Sequence, residues 1–164
     1  MQHHAKTLAA LTLGFATLAV NAQAVRTEKN MSLELATKIA AATVAACTAD
    51  KFNVTATVVD RAGTVRAVYR ADNAGPHTLG ASEAKAFTSA SGKNTSLAMM
   101  ENAQKNPAGA NVAMIPGFLL LGGGVPVKVG DEVIGAVGVG GAPGGHLDEK
   151  CALAGIAAVQ ELLK

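Results

Sequence analysis

Apolar positions recur at helical spacing after Ser32, where Leu35, Ile39, Ala42 and Ala46 share one face and "TADK" ends the run. Ser32 stands where an N-cap belongs. The period then changes to two. In "FNVTATVVD" Val54, Ala56 and Val58 alternate with polar residues, "RAGT" turns the chain, and "VRAVYR" continues, which predicts an antiparallel hairpin. The loop "ADNAGPHT" leads into a helix, "LGASEAKAFTSAS", stopped by Gly92, and "SLAMMENAQ" reads as a shorter helix. A connection marked by Pro and Gly covers residues 106–117. "FLLLGGGVPVKV" and "EVIGAVGVG" then read as strands around "GDE", a second hairpin. The last helix, Leu147 to Leu163, lines up Ala152, Ile156, Val159 and Leu163. No ladder of alternating βαβ units appears. The order predicts an antiparallel sheet with helices packed on it, an α+β fold in a single domain, for which 164 residues at 49% hydrophobic content suffice.

The first 24 residues stand apart from this pattern. Lys6 precedes the apolar run "LAALTLGFATLAV", and "NAQA" follows with Ala22 and Ala24 in an A-x-A arrangement, the layout of a secretory signal peptide. The expectation is a leader over 1–24, a mature domain over 25–164 and a periplasmic or secreted protein. The apolar run is short for a membrane span, and no other segment approaches the necessary length. Formal charge is +2, falling to +1 once Lys6 leaves with the leader, and aromatics make up 3% of the chain. Neither value fits a nucleic-acid surface. Cys47 and Cys151 both remain in the mature chain. In an oxidising compartment they form a disulfide if their Cα atoms come within reach. Their alanine-rich helical surroundings favour the other reading, two buried thiols.

"VGVGGAPGGHLDEKCALAG", residues 137–155, runs from a predicted strand into a predicted helix and invites comparison with phosphate-binding loops. Pro143 occupies the place of the third glycine of a dinucleotide fingerprint, and His146 and Leu147 replace the Lys and hydroxyl residue of a P-loop. Asp148 and Glu149 in the first helical turn suit the positive end of the dipole and repel phosphate. Gly122 to Gly124, Gly135 and Gly138 instead mark places where a backbone or ligand approaches a strand closely, whether for helix packing or for a pocket.

In combination, "AGPHTLGASEAKAFTSASGKNTS", "GGGVPV" and "EVIGAVGVGGAPGGHLDEKCALAGI" resemble the haem-binding GlcG/HbpS-like family across residues 31–164. The resemblance implies a profilin-like α+β fold, an antiparallel sheet flanked by helices, and association into homo-oligomers. It also implies haem or iron handling in exported members, and small-molecule metabolism in others. Gly140 departs from the serine found in many relatives, and His146 stands where an acidic or small polar residue is usual.

Candidate chemistry follows from these residues. His77 and His146 are the two histidines of the mature chain, and neutral imidazole is a common axial donor to haem iron. His77 is the metal-ligand candidate, against the ordinary alternative of a surface loop histidine. No C-x-x-C-H occurs, so covalent haem attachment is excluded. Lys85 is a candidate partner for a carboxylate or haem propionate, or else a solvated helix charge. Met99, Met100 and Met114 are candidate sulfur donors with packing as their commoner use. Glu83, Glu101, Asp148 and Glu149 are candidate surface iron ligands without a fixed spacing. Ser82, Ser89 and Ser91 show no suggestive nucleophile spacing. The expected pocket is lined by the "GPHT" loop with His77 and Thr78, the helix bearing Lys85, and the glycine strand ends Gly123, Gly124 and Gly140 together with His146, completed by an oligomer interface. The rival expectation is an enzyme acting on a small hydroxy or keto acid, with Lys85 as anion anchor and His77 as acid or base. A third is a non-catalytic assembly module.

Overall fold

The computed structural model describes residues 24–164; the expected leader, 1–23 of it, lies outside the described residues. Helix α1 (Leu33–Ala49) is followed by strands β1 (Thr55–Asp60) and β2 (Val65–Arg70), helices α2 (His77–Gly92) and α3 (Ser96–Lys105), and a 3-10 helix (Pro107–Met114). Strands β3 (Gly124–Val129) and β4 (Glu132–Gly140), helix α4 (Gly145–Ala157) and a 3-10 turn (Gln160–Leu162) complete the chain. Both predicted hairpins form. Strand β1 also pairs antiparallel with β4, giving one sheet in the order β2-β1-β4-β3.

The two faces of the sheet are covered differently. Val54, Ala56 and Val58 point into the main core with Ile39, Cys47, Val137, Val139, Cys151 and Ala152, under α1 and α4. The polar positions between them do not face water, as simple alternation would suggest. Thr55 and Thr57 lie fully buried beneath α2, where the Thr55 hydroxyl bonds the Thr78 hydroxyl at 2.7 Å and the Thr57 hydroxyl bonds that of Ser82 at 2.7 Å. Pairing buried hydroxyls removes the desolvation cost that an apolar cover would impose. Helix α2 reaches this close because Gly138 lies under it: a Cβ there would stand 2.0 Å from the Ser82 carbonyl oxygen.

Helix α1 begins as expected, with the Ser32 hydroxyl accepting from the Leu35 amide at 3.1 Å. Its buried stripe runs through Leu35, Ile39, Thr43 and Cys47, one position away from the expected Ala42 and Ala46. The cause is α4, whose Gly155 sits directly against Thr43. The cysteines are correspondingly not thiols: Cys47 and Cys151 form a disulfide between α1 and α4, with Cα atoms 5.3 Å apart, which corrects the favoured sequence reading. Two small alanine-rich helix faces pack closely enough for the sulfurs to meet.

Strand β3 starts at Gly124 and not at Phe118. The intervening backbone bonds side chains: the Leu119 amide donates to Thr88 Oγ1 at 2.8 Å, and the Leu121 carbonyl accepts from Ser96 Oγ at 2.7 Å. Helix α4 ends at Ala157, short of the expected Leu163, because Val159 leaves helical geometry at φ −118°, ψ 15° and turns its side chain into the core.

Candidate functional site

Lys85 projects from the inner side of α2 and is only 2% exposed. Its Nζ donates to the Val139 carbonyl at 2.8 Å and to Asp148 Oδ2 at 2.8 Å. Asp148 Oδ1 accepts from the Ala142 amide at 3.0 Å, so the carboxylate joins α2, the loop that follows β4 and the first turn of α4. Burial pushes the Asp148 carboxyl above its ordinary range, against the pull of Lys85 and the Ala142 amide.

The glycine strand ends fit around this pair. Gly123, at φ +123°, would place a Cβ 2.8 Å from Asp148 Cβ and 3.1 Å from Lys85 Nζ, and a Cβ on Gly124 would lie 2.3 Å from the Lys85 carbonyl oxygen. The space a pocket would need is thus filled by the protein itself. Gly140 packs beneath Ala81 and Thr78, and Thr78 is buried with its hydroxyl within 2.6 Å of the Gly75 carbonyl. Lys85, Thr78, Gly123, Gly124 and Gly140 therefore belong to the interior. Lys85 meets a carboxylate, one of its two expected partners, but that carboxylate is Asp148. Neither a propionate nor an acid substrate has access to it, and the anion-anchor role of the enzyme reading falls with that access. Asp148 is likewise no surface iron ligand.

His77 and His146 are different. Both are exposed, His77 at the first position of α2 and His146 in the first turn of α4, and each imidazole lies over a glycine, Gly75 and Gly144, where a Cβ would stand within 3 Å of a ring atom. Along α2, His77, Gly80, Ala84 and Phe87 follow at i, i+3, i+7 and i+10, the spacing of one helical face. Gly80, Ala84 and Phe87, with Glu83, Gly63 and Gly117, line an open groove of about 230 Å³. Gly80 meets no neighbouring atom at its Cβ position, and Phe87 walls the groove, held edge-on by Phe118 at 6.0 Å. The exposed side chain of Leu79 adds apolar surface on the same helix. This groove has no local signature in the sequence, because Gly63 and Gly117 reach α2 only through the two chain turns.

Glu149 is half-buried and not a freely exposed surface acid. Its Oε2 is buried without a hydrogen-bond partner, and burial holds its pKa above the ordinary range against the pull of the nearby Thr95 hydroxyl and Gly123 amide. Among the described residues no group of three or more His, Cys, Asp or Glu side chains comes together as a metal site, and no helix is long and apolar enough to cross a membrane.

A four-stranded antiparallel sheet with α2 on one face and α1 and α4 on the other defines a profilin-like α+β domain. The family model described as haem degrading protein HbpS-like matches residues 31–157, and the chain belongs to that family. It is similar to HbpS of Streptomyces reticuli, solved as a double mutant, at 35% identity and a TM-score of 0.79, over 89% of this chain and 98% of that one. Protein ORFY of Klebsiella pneumoniae is 26% identical with a TM-score of 0.78, over 84% of this chain and 95% of that one. PduOC, solved as its haem complex, shares the fold at 21% identity and a TM-score of 0.71, over 79% of this chain and 94% of that one. Comparison with curated proteins gives no match.

Proposed function

We propose that this is an exported haem-binding protein that holds haem non-covalently against the outer side of α2, with the His77 imidazole as the side chain that would bind its iron. The observation that carries the reading is the placement of an exposed imidazole at the head of a helical face whose next residues are small and line an apolar groove, in a chain of the HbpS-like family. Glycine and alanine at 80 and 84 leave a surface on which a flat ring system can lie, and Phe87 offers an aromatic edge. The imidazole would supply a nitrogen donor to the iron of bound haem. A groove of about 230 Å³ falls below the roughly 300–1,000 Å³ of a pocket that encloses a drug-sized ligand. It takes one edge of a macrocycle, and a second copy of the chain covers the remainder in a homo-oligomer. Export is supported by the disulfide, since such bonds persist in oxidising compartments.

Haemin titration followed at the Soret band tests the reading. Binding is expected, with His77→Ala shifting the band and His146→Ala leaving it in place. Absence of binding by the unaltered protein refutes haem as ligand; binding with a band unmoved by His77→Ala refutes His77 as the iron ligand.

A further inference from the structure

The sheet has two edges of opposite character. Strand β3 is largely buried and carries Pro126, a residue with no amide to donate. Strand β2, at the other edge, has no proline and is exposed at every position but Ala67, which is half-buried. Its backbone is open too. The Ala71 amide donates to the Val54 carbonyl at 2.9 Å, and bonded pairs alternate along an antiparallel ladder. Ala67 and Tyr69 therefore bond β1, whereas Val68 and Arg70, opposite Thr57 and Thr55, turn their N–H and C=O groups outward. The Arg70 guanidinium is held by the Ala74 carbonyl. Arg66 and Asp72, three residues to either side of Tyr69, carry opposite charges. Both are exposed, and neither forms an ion pair among the described residues.

We propose that β2 pairs antiparallel with β2 of a second copy of this chain, centred on Tyr69, so that the two sheets continue as one. In that register Val68 of each copy stands opposite Arg70 of the other, and their outward amides and carbonyls bond. Arg66 of each copy stands opposite Asp72 of the other, so the open charges at both ends of the strand find partners. A strand of one charge sign satisfies Arg66 or Asp72 but not both; a second copy satisfies both. The two Tyr69 side chains meet at the centre, at a non-bonded position where opposed Cα atoms come to about 4.5 Å. Charge also selects the register. Centring the pair on Val68 sets Arg66 against Arg70 and opposes like charges at both ends. Opposite residues share a face, so Val65 and Val68 lie on the α2 side with Val59 and Thr57, yet are 39% and 45% exposed. The two-fold places both α2 helices on one face, with Val65 and Val68 of both copies on the floor between them. Gly63, in the turn before β2, is also a wall of the groove on α2. The pairing itself requires no haem.

Tyr69→Cys tests the seam, and a charge exchange tests the register. Oxidised with copper phenanthroline, purified Tyr69→Cys is expected to run as a disulfide-linked dimer on non-reducing gels. Opposed Cα atoms at that spacing suit a disulfide, and no native cysteine is free among the described residues. Lys128→Cys, exposed on the opposite edge, is expected to stay unlinked. In sedimentation equilibrium, Arg66→Asp and Asp72→Arg are each expected to weaken self-association about tenfold, and the double variant to restore it. Circular dichroism confirms that these exposed-site variants are folded. A protein that stays monomeric at all concentrations overturns the proposal. So does Tyr69→Cys linking no faster than Lys128→Cys, which shows that copies meet elsewhere or only by collision. A double variant as weak as the single ones overturns the register.

Discussion

Replacing Cys47 and Cys151 together by alanine removes a cross-link between residues 104 apart in sequence. Closing a loop of about 100 residues restricts the unfolded chain by about 4.7 kcal/mol at 25 °C in the chain-entropy account. The double variant also leaves two sulfur-sized gaps between α1 and α4, so its total loss is about 6 kcal/mol. Set against a typical domain stability of about 5–15 kcal/mol, that is a large fraction, and it corresponds to a fall in Tm of roughly 15 °C for a domain of this size. Urea unfolding of the oxidised protein, the reduced protein and the double-alanine variant separates the contributions. Reduction keeps both sulfurs in place, so oxidised against reduced isolates the cross-link, and reduced against variant isolates packing. The unfolding slope m is also expected to rise when the bond is absent, because the freed chain exposes more surface. A reduced protein within about 1 kcal/mol of the oxidised form would refute loop closure as the source of stability.

Asp148→Ala strands the Lys85 ammonium in the interior with one carbonyl partner and is expected to cost about 3–5 kcal/mol. Lys85→Met is expected to cost less, since the Asp148 carboxyl keeps the Ala142 amide and readily takes a proton; a reversed order in urea unfolding would contradict this account. Glu149 binds its proton more tightly folded than unfolded, so its contribution is most favourable below the ordinary carboxylate range and is lost as pH rises through the folded value. Glu149→Gln is therefore expected to raise Tm at pH 7 relative to the unaltered protein and to change it little at pH 4, and equal shifts at both pH values would argue otherwise. Gly138→Ala forces α2 away from β4 and is expected to cost about 3 kcal/mol by thermal unfolding, against almost nothing for Gly80→Ala, whose Cβ position is open.

The elements could be read from the sequence because their signals are local: Ser32 at an N-cap, the alternation in "FNVTATVVD", and the turns at "RAGT" and "GDE". What local pattern does not carry is which face meets which partner. Thr55 and Thr57 read as solvent positions because their hydroxyl partners, Thr78 and Ser82, lie more than twenty residues away. Lys85 and Asp148 are each conspicuous, yet nothing in either segment reveals that they bond to one another across 63 residues. The Cys47–Cys151 bond has no local signal for the same reason, since it depends on how closely α1 and α4 pack. His77 was legible because "GPHT" is a local device that exposes a side chain at a helix start. The groove next to it depends on Gly63 and Gly117, brought there by tertiary structure alone.

Helix α2 has two sides under opposite constraints. Toward the sheet, each position is fixed by contact at backbone distance, by a hydroxyl partner or by a buried charge, so a change there is answered by neighbours on β1, β4 or α4. Away from the sheet, Gly80 and Glu83 face open space and bear none of the helix's weight. Residues on that outward face can be replaced one at a time with the scaffold left undisturbed. The chemistry displayed on that surface can thus diverge faster than the architecture beneath it.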